Sequence, residues 1–382
     1  MTVETRLLNA EGRFNPVVPR ATDILPTREL SLAEVVFYYS RVNAVVAVGA
    51  REAITARYVS GISLDTQDRK AFADELDRKA TSVMEKGLHS ASFLSEVVPD
   101  GCEGIKENRK ALELGEGPTD LPVLTGIYGA GHTVPFSERH VLNSLDSKSR
   151  VKLIIDPVEG TTRASLNQEG AVAIIAGTLT GDIARIPSED SPALYANRIV
   201  ASSRLSGKVS LSQSPADNVR AVMEEFELTN SADVRVVVMK RARNQALIQE
   251  LEKTGVILDL IDSGDLMPAL AALTQNKPIL SMGSGGKQEA IIAACAAKAL
   301  GGVFEMRYVA KNGESVEEFP DVLALDDVVS GFASDYFVNF ASITGVPELG
   351  LGIPKTRGGN YIVPVATITS KNPRLIIQGV IV

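Results

Sequence analysis

The sequence predicts a mixed α+β first half joined to an α/β second half built on a largely parallel sheet. Three observations carry this expectation. At 382 residues the chain exceeds what one hydrophobic core normally supports. Up to about residue 205, two long helical stretches precede short apolar pieces separated by Gly, Pro, Asp and Ser, a pattern of strands and loops around a site. Beyond that point, apolar runs of strand length alternate with stretches of helix length, which implies βαβ units. The expected division is an N-terminal arm over 1–30, an α+β unit over 31–205 and an α/β unit over 206–382.

Residues 1–30 hold three prolines and no sustained period, hence an arm. Ser31 followed by Glu34 is a capping-box signature, opening a helix from about Leu32 to Tyr58 with Gly49 as its weak point. A charged helix from roughly Thr66 to Lys86 follows. VKLIID is an apolar strand ending at Asp156; Pro157 then removes an N–H and fixes φ, so the chain is expected to leave the sheet there. AVAIIAGTL and the stretch from Leu194 to Ser202 are further strands. In the second half, VRVVVM, VILDLI and KPILSMG read as strands. Asn218 to Phe226, NQALIQELEKTG (stopped by Gly255), DLMPALAAL and Glu289 to Leu300 (stopped by Gly301–Gly302) read as helices.

Composition excludes several classes. Hydrophobic residues at 45% and charged ones at 23% are those of an ordinary globular protein. A net charge of −8, no basic run and no Trp exclude a nucleic-acid surface. Cys102 and Cys295 give neither a metal spacing nor a disulfide framework, and Cys295 reads as a core residue. The start MTVETR lacks an apolar signal core, and no apolar run is long enough to span a bilayer, so no membrane partner and a cytoplasmic location are expected. His89, His132 and His140 show no ligand spacing.

Five segments hold the candidate chemistry. In DPVEGTT, a turn could bring Asp156, Glu159 and an intervening carbonyl to one point, the all-oxygen set that Mg²⁺ or Mn²⁺ prefers. Gly160 permits close backbone approach, while Thr161 and Thr162 add hydroxyl and N–H groups suited to a phosphate. By spacing alone it reads equally as a polar turn. In GEGPTD, glycines flank Glu116 and leave it unshielded, with Asp120 nearby; solvated loop acids look the same. On the charged helix, Lys70, Asp74 and Asp77 fall at i, i+4 and i+7, on one face, which alone describes a solvated face. GSGGKQEAII places Glu289 in the first turn of a helix, where a carboxylate is favoured in any case. KRAR sets Lys240, Arg241 and Arg243 directly after a strand, where ligands bind in open α/β sheets.

Taken in order, GEGPTD, IIDPVEGTT, SPALYANRIVAS, VVVMKRARNQALI, LIDSGDL, GSGGKQEAIIAACAAKALGG and DVVSGF resemble the class II fructose-1,6-bisphosphatase family, which includes cyanobacterial fructose/sedoheptulose bisphosphatases. The likeness covers roughly 32–48 and 110–380. It implies the inositol monophosphatase/fructose bisphosphatase-like sugar-phosphatase fold, layered α-β-α-β-α. Residues 31–205 would then form the metal-binding domain and 206–382 the sugar-phosphate-binding domain. It further implies Glu116, Asp156, Glu159 and Glu289 as metal ligands, joined by Asp74 or Asp77, for two or three Mg²⁺ or Mn²⁺ ions. Thr161 and Asp120 would orient the attacking water. Gly160, Thr161, Thr162, Tyr195, Arg241, Arg243, Gly264, Asp265 and Gly285 would bind the substrate. A homo-oligomer, dimer or tetramer, is expected by the same likeness.

The chain departs from the family pattern by inserted sequence near residues 49–65 and 88–110 and at four motif positions. DRKAFADELDRKATSVM replaces a GKGDK-like segment, Pro118 replaces an acid, Ser263 stands in a DGD position, and Asn244 stands for a histidine. The expected reaction is hydrolysis of a sugar phosphate or bisphosphate by in-line attack of a metal-activated water. Because the pocket is altered, a phosphatase for another sugar or cyclitol phosphate and a non-catalytic sugar-phosphate-binding relative are the alternatives.

Overall fold

A computed structural model describes residues 31–59, 66–89, 95–102, 151–184, 186–187, 191–370 and 372–382. The expected arm, Glu116, Pro118, Asp120, His132 and His140 lie outside these residues, as do the side chains of His89 and Cys102.

Two long helices come first, α1 (Leu32–Val59) and α2 (Thr66–His89). Gly49 does not interrupt α1 as expected. A Cβ there would meet only Val83, at an ordinary contact distance of 3.8 Å, so the position sits inside the packed helix without disturbing it. The short helix α3 (Thr161–Ser165) precedes four longer ones, α4 (Pro215–Glu225), α5 (Gln245–Thr254), α6 (Leu266–Thr274) and α7 (Lys287–Leu300), and a single turn, α8 (Leu325–Val328).

The strands are β1 (Ser95–Cys102), β2 (Val151–Glu159), β3 (Val172–Thr178), β4 (Asp182–Ile183), β5 (Tyr195–Ala201), β6 (Arg235–Met239), β7 (Ile257–Ile261), β8 (Ile279–Gly285) and β9 (Val303–Val309). They continue with β10 (Leu323–Ala324), β11 (Val329–Ser330), β12 (Tyr336–Ser342), β13 (Lys355–Arg357), β14 (Asn360–Thr369) and β15 (Asn372–Ile381). One sheet runs β1-β2-β3-β12-β14-β13, with β15 also on β14; a second runs β10-β9-β5-β8-β6-β7.

Neither sheet follows the sequence division at 205. β5 precedes that point yet sits inside the second sheet, and β12, β14 and β15 return to the first. Nor is the second sheet largely parallel, as expected. Only β7-β6-β8 pair in parallel. β5 is antiparallel to both β8 and β9. The strands β8 and β9 therefore point the same way, as a βαβ unit requires, with β5 inserted between them.

Alternation along the first sheet separates two cores. Leu153, Ile155, Ile175 and Phe337 pack with Tyr39, Val42, Val46, Leu76 and Met84 of α1 and α2. Ile154, Ile174, Val338 and Phe340 face the other way, onto Leu270 of α6, Ile291 and Ile292 of α7, and Phe304 of β9. A third core joins Ile199, Val236 and Leu280 to Val222 of α4 and Leu251 of α5. Helix α7 is buried over almost its whole length, and its run of alanines lets it press closely between two sheets.

One buried polar knot anchors α1 to the sheet. Asn43 Nδ2 donates to the Asn339 backbone and side-chain oxygens at 2.8 Å, and Asn339 Nδ2 lies 2.7 Å from Ser40 Oγ and 2.9 Å from Thr367 Oγ1. Among the described residues no helix is long and apolar enough to cross a membrane.

Candidate functional site

Strand β2 does not stop at Asp156. It continues to Glu159 across a register shift in which Asp156 pairs with Ile174 and Glu159 with Val172. That is one residue more on β2 than on β3, a bulge, and a bulge is where a sheet tolerates proline. Pro157 therefore deforms the ladder where the sequence reading expected it to end. The turn follows at Gly160, whose φ of 80° suits glycine and starts α3.

The bulge holds both carboxylates inside. Asp156 and Glu159 are 2% and 4% exposed. The Val158 N–H donates to Asp156 Oδ1 at 2.9 Å. Glu159 receives the Leu266 N–H, while its Oε1 is buried with no hydrogen-bond partner among the described residues. Thr161 Oγ1 lies 3.1 Å from Asp77 Oδ1 and 2.9 Å from the Val158 carbonyl. Of the two acids considered on α2, Asp77 reaches this turn. Asp74 is exposed, and its carbonyl accepts from Arg78 instead.

Three further elements converge. Glu289 stands in the first turn of α7, its carboxylate folded so close to Gly286 that a Cβ there would lie 1.9 Å from Oε2. Asp265 precedes α6, and its Oδ2 accepts from Nη2 of Arg198 on β5 at 2.6 Å. Arg198 is 2% exposed, with its Nη1 unpartnered. Gly285 makes this possible, because a Cβ there would stand 1.7 Å from Asp265 Oδ2 and 2.9 Å from Arg198 Nη1.

The electrostatics follow from burial. Desolvation, then Glu289 and Asp265 nearby, push the Glu159 carboxyl up to about 8. Desolvation and Asp265 push Glu289 up to about 7. The Arg198 guanidinium opposes both shifts. Buried acids this close resist ionising together unless a cation offsets them. With its unpartnered Glu159 oxygen, the donor set fits a hard divalent ion. Among the described residues no three Asp, Glu, His or Cys side chains are already arranged to hold one; Glu116 and Asp120 are not among them.

The basic residues lie across the site. Arg243 stacks its guanidinium 3.7 Å from the Tyr195 ring centroid and donates to the Ser284 carbonyl at 3.2 Å. Arg241 is exposed and donates to its own Lys240 carbonyl and to that of Asp262. Asn244 is turned inward. Its Nδ2 donates to the Met239 and Ser284 carbonyls, and its Oδ1 accepts the Ser284 N–H at 2.8 Å. Thr162 is exposed on α3, and Gly264 turns the chain at φ 75°.

A family model described as bacterial fructose-1,6-bisphosphatase, glpX-encoded, matches residues 137–346, more than half of the chain. The chain belongs to this family. Members similar to it include proteins named D-fructose 1,6-bisphosphatase class 2/sedoheptulose 1,7-bisphosphatase. That of Acaryochloris marina is 32% identical over 237 residues, 62% of each chain. That of Prochlorococcus marinus strain NATL1A is 27% identical over 237 residues, 62% of this chain and 61% of the relative. That of Synechococcus sp. strain CC9902 is 28% identical over 251 residues, 65% of each. The chain thus spans somewhat under two thirds of the length of these curated relatives.

Two buried cations escaped the sequence reading. Arg198 sits in YANRIVA, where an arginine within an otherwise apolar strand was the available signal. Lys287 lies next to Gly286, is 1% exposed and donates to the Pro187 carbonyl at 2.8 Å.

Proposed function

We propose that the protein hydrolyses a sugar bisphosphate, of the fructose 1,6- or sedoheptulose 1,7-bisphosphate class named for its relatives, releasing inorganic phosphate. The buried carboxylate cluster at the end of β2, next to the Thr161–Asp77 contact, carries this reading. The three cores described above support the α-β-α-β-α order of the sugar-phosphatase fold.

Asp156, Glu159 and Glu289, with Asp77 and Glu116, would hold Mg²⁺ or Mn²⁺. Bound there, such ions lower the pKa of water and neutralise charge on the reacting oxygens. The chain's own groups do the rest. Thr161 Oγ1, within hydrogen-bond reach of Asp77 and the Val158 carbonyl, would accept from and orient the attacking water, and Asp120 would take that water's proton. The first N–H groups of α3 have no partner within so short a helix, so those of Thr161 and Thr162 would donate to the phosphate, with Gly160 admitting close approach. Arg243 and Arg241 take the distant phosphate, Tyr195 backs Arg243, and Asp265 accepts from sugar hydroxyls.

A second reading, a phosphatase for another sugar or cyclitol phosphate, is favoured by Asn244. Its side chain is spent on the Met239 and Ser284 backbone and offers the pocket nothing. Phosphate release from a panel of sugar mono- and bisphosphates with Mg²⁺, Mn²⁺ or EDTA separates the readings. Preference for a bisphosphate supports the first, preference for a different phosphate the second, and no release from any substrate refutes both.

A further inference from the structure

On the phosphatase reading, the turn Ser263–Gly264–Asp265 faces the sugar and the β2–α3 segment faces the phosphate being cleaved. The two are gripped together twice by residues four apart. Glu159 receives the Leu266 N–H at the end of the turn. Arg163, one helical turn further on, donates from Nε to the Ser263 carbonyl at 3.3 Å at its beginning, and from Nη1 to the Glu169 carbonyl at 3.1 Å. Two glycines lie against the arginine, and a side chain at Gly170 would crowd it. A Cβ on Gly264 would stand 3.4 Å from Arg163 Nε and 3.9 Å from Glu159 Oε1, and one on Gly170 would stand 3.1 Å from Arg163 Cδ. Both glycines have positive φ, 75° and 106°, a conformation that glycine adopts without strain.

We infer that Arg163 is a positioning residue that sets substrate specificity. By tying the sugar-facing turn to the phosphate-facing segment, it fixes the separation between the sugar and the phosphate being cleaved. The inference rests on the phosphatase reading above. Loss of the tie leaves the carboxylate cluster intact and lets the turn drift, so a substrate that uses both segments suffers while one that uses only the phosphate-facing segment does not. A misplacement of about an ångström in such a site costs on the order of a hundredfold in rate.

The test compares kcat/KM of the full-length protein for a sugar bisphosphate and for p-nitrophenyl phosphate, an ester with no sugar, at saturating Mg²⁺. Arg163→Met should lower the sugar value by roughly tenfold or more through KM and change the p-nitrophenyl phosphate value by less than about twofold. Arg163→Lys, which can remake one of the two bonds, should recover part of the loss. The urea unfolding midpoint identifies a variant that fails to fold, in which case Arg163→Lys alone decides by the same ratio. Equal losses on both substrates, or no loss on either, overturn the inference. Absence of phosphate release by the unaltered protein is a different result, which overturns the phosphatase reading and this inference with it.

Discussion

Gly285→Ala should break the buried ion pair that organises the pocket. The added methyl would lie 1.7 Å from Asp265 Oδ2, where ordinary contact begins near ~3.4 Å, so the carboxylate must retreat by roughly 1.5–2 Å. Its bond to Arg198 Nη2 is 2.6 Å long and cannot survive that shift. Arg198 is 2% exposed and would be left buried without its partner. Stranding one member of such a pair costs about 3–5 kcal/mol, and inserting a methyl into a packed site about 1–3 kcal/mol. The two costs share one displacement and do not add fully. The Asp265 side chain is 13% exposed and can relax towards water, so about 3–4 kcal/mol is expected. Urea unfolding without divalent ions reads this as a lower midpoint at unchanged slope. Gly352→Ala is the control, because nothing lies within 4 Å of its Cβ position. A loss below about 1 kcal/mol at Gly285 would refute the reasoning, since it would mean that the carboxylate moves at little cost.

Further outcomes follow from the same contacts. Glu159 and Glu289 are raised above ordinary carboxylate values, so the folded protein holds protons that the unfolded chain releases. In EDTA, their contribution to stability is therefore complete below about pH 4.5 and is lost as pH rises towards about 8. Melting temperatures from pH 5 to 9 should fall across that window, and saturating Mg²⁺ should flatten the fall; a rise in EDTA contradicts the assignment. Glu159→Gln mimics the protonated acid and should stabilise the EDTA-treated protein at pH 8 by about 1–3 kcal/mol, read as a higher urea midpoint. An unchanged or lowered midpoint would count against desolvation as the cause. Asp77→Asn should reduce phosphate release at least about tenfold and more than Asp74→Asn does, since Asp77 Oδ1 is the acceptor beside Thr161. Equal effects would show that this contact does not matter.

Local signals predicted the elements and missed their order in space. Gly255 and Gly301 stop α5 and α7 in left-handed conformations, as their positions suggested. The insertion of β5 between β8 and β9, and the return of β12 to β3, are pairings between residues more than eighty positions apart, and no window of sequence contains them. Pro157 was misread because a lone proline in a strand permits two outcomes, an end or a bulge, and only the partner strand decides between them. In the site, Asp156, Glu159, Gly160 and Thr161 were legible because one segment carries them all. Arg198 and Arg163 were not, because their roles lie in what they touch, Asp265 in one case and the Ser263 carbonyl in the other. Asn244 reads as a lost pocket residue in sequence, yet in three dimensions it holds Ser284 in place.

The most direct measurement is phosphate release from a sugar bisphosphate by the unaltered protein and by Glu159→Gln, each with Mg²⁺, with Mn²⁺ and with EDTA. The account predicts release by the unaltered protein only with a divalent ion, and a loss of about a thousandfold or more in Glu159→Gln, the scale expected when transition-state charge stabilisation fails. Release that persists in EDTA, or a Glu159→Gln variant that works as well as the unaltered protein, would contradict it.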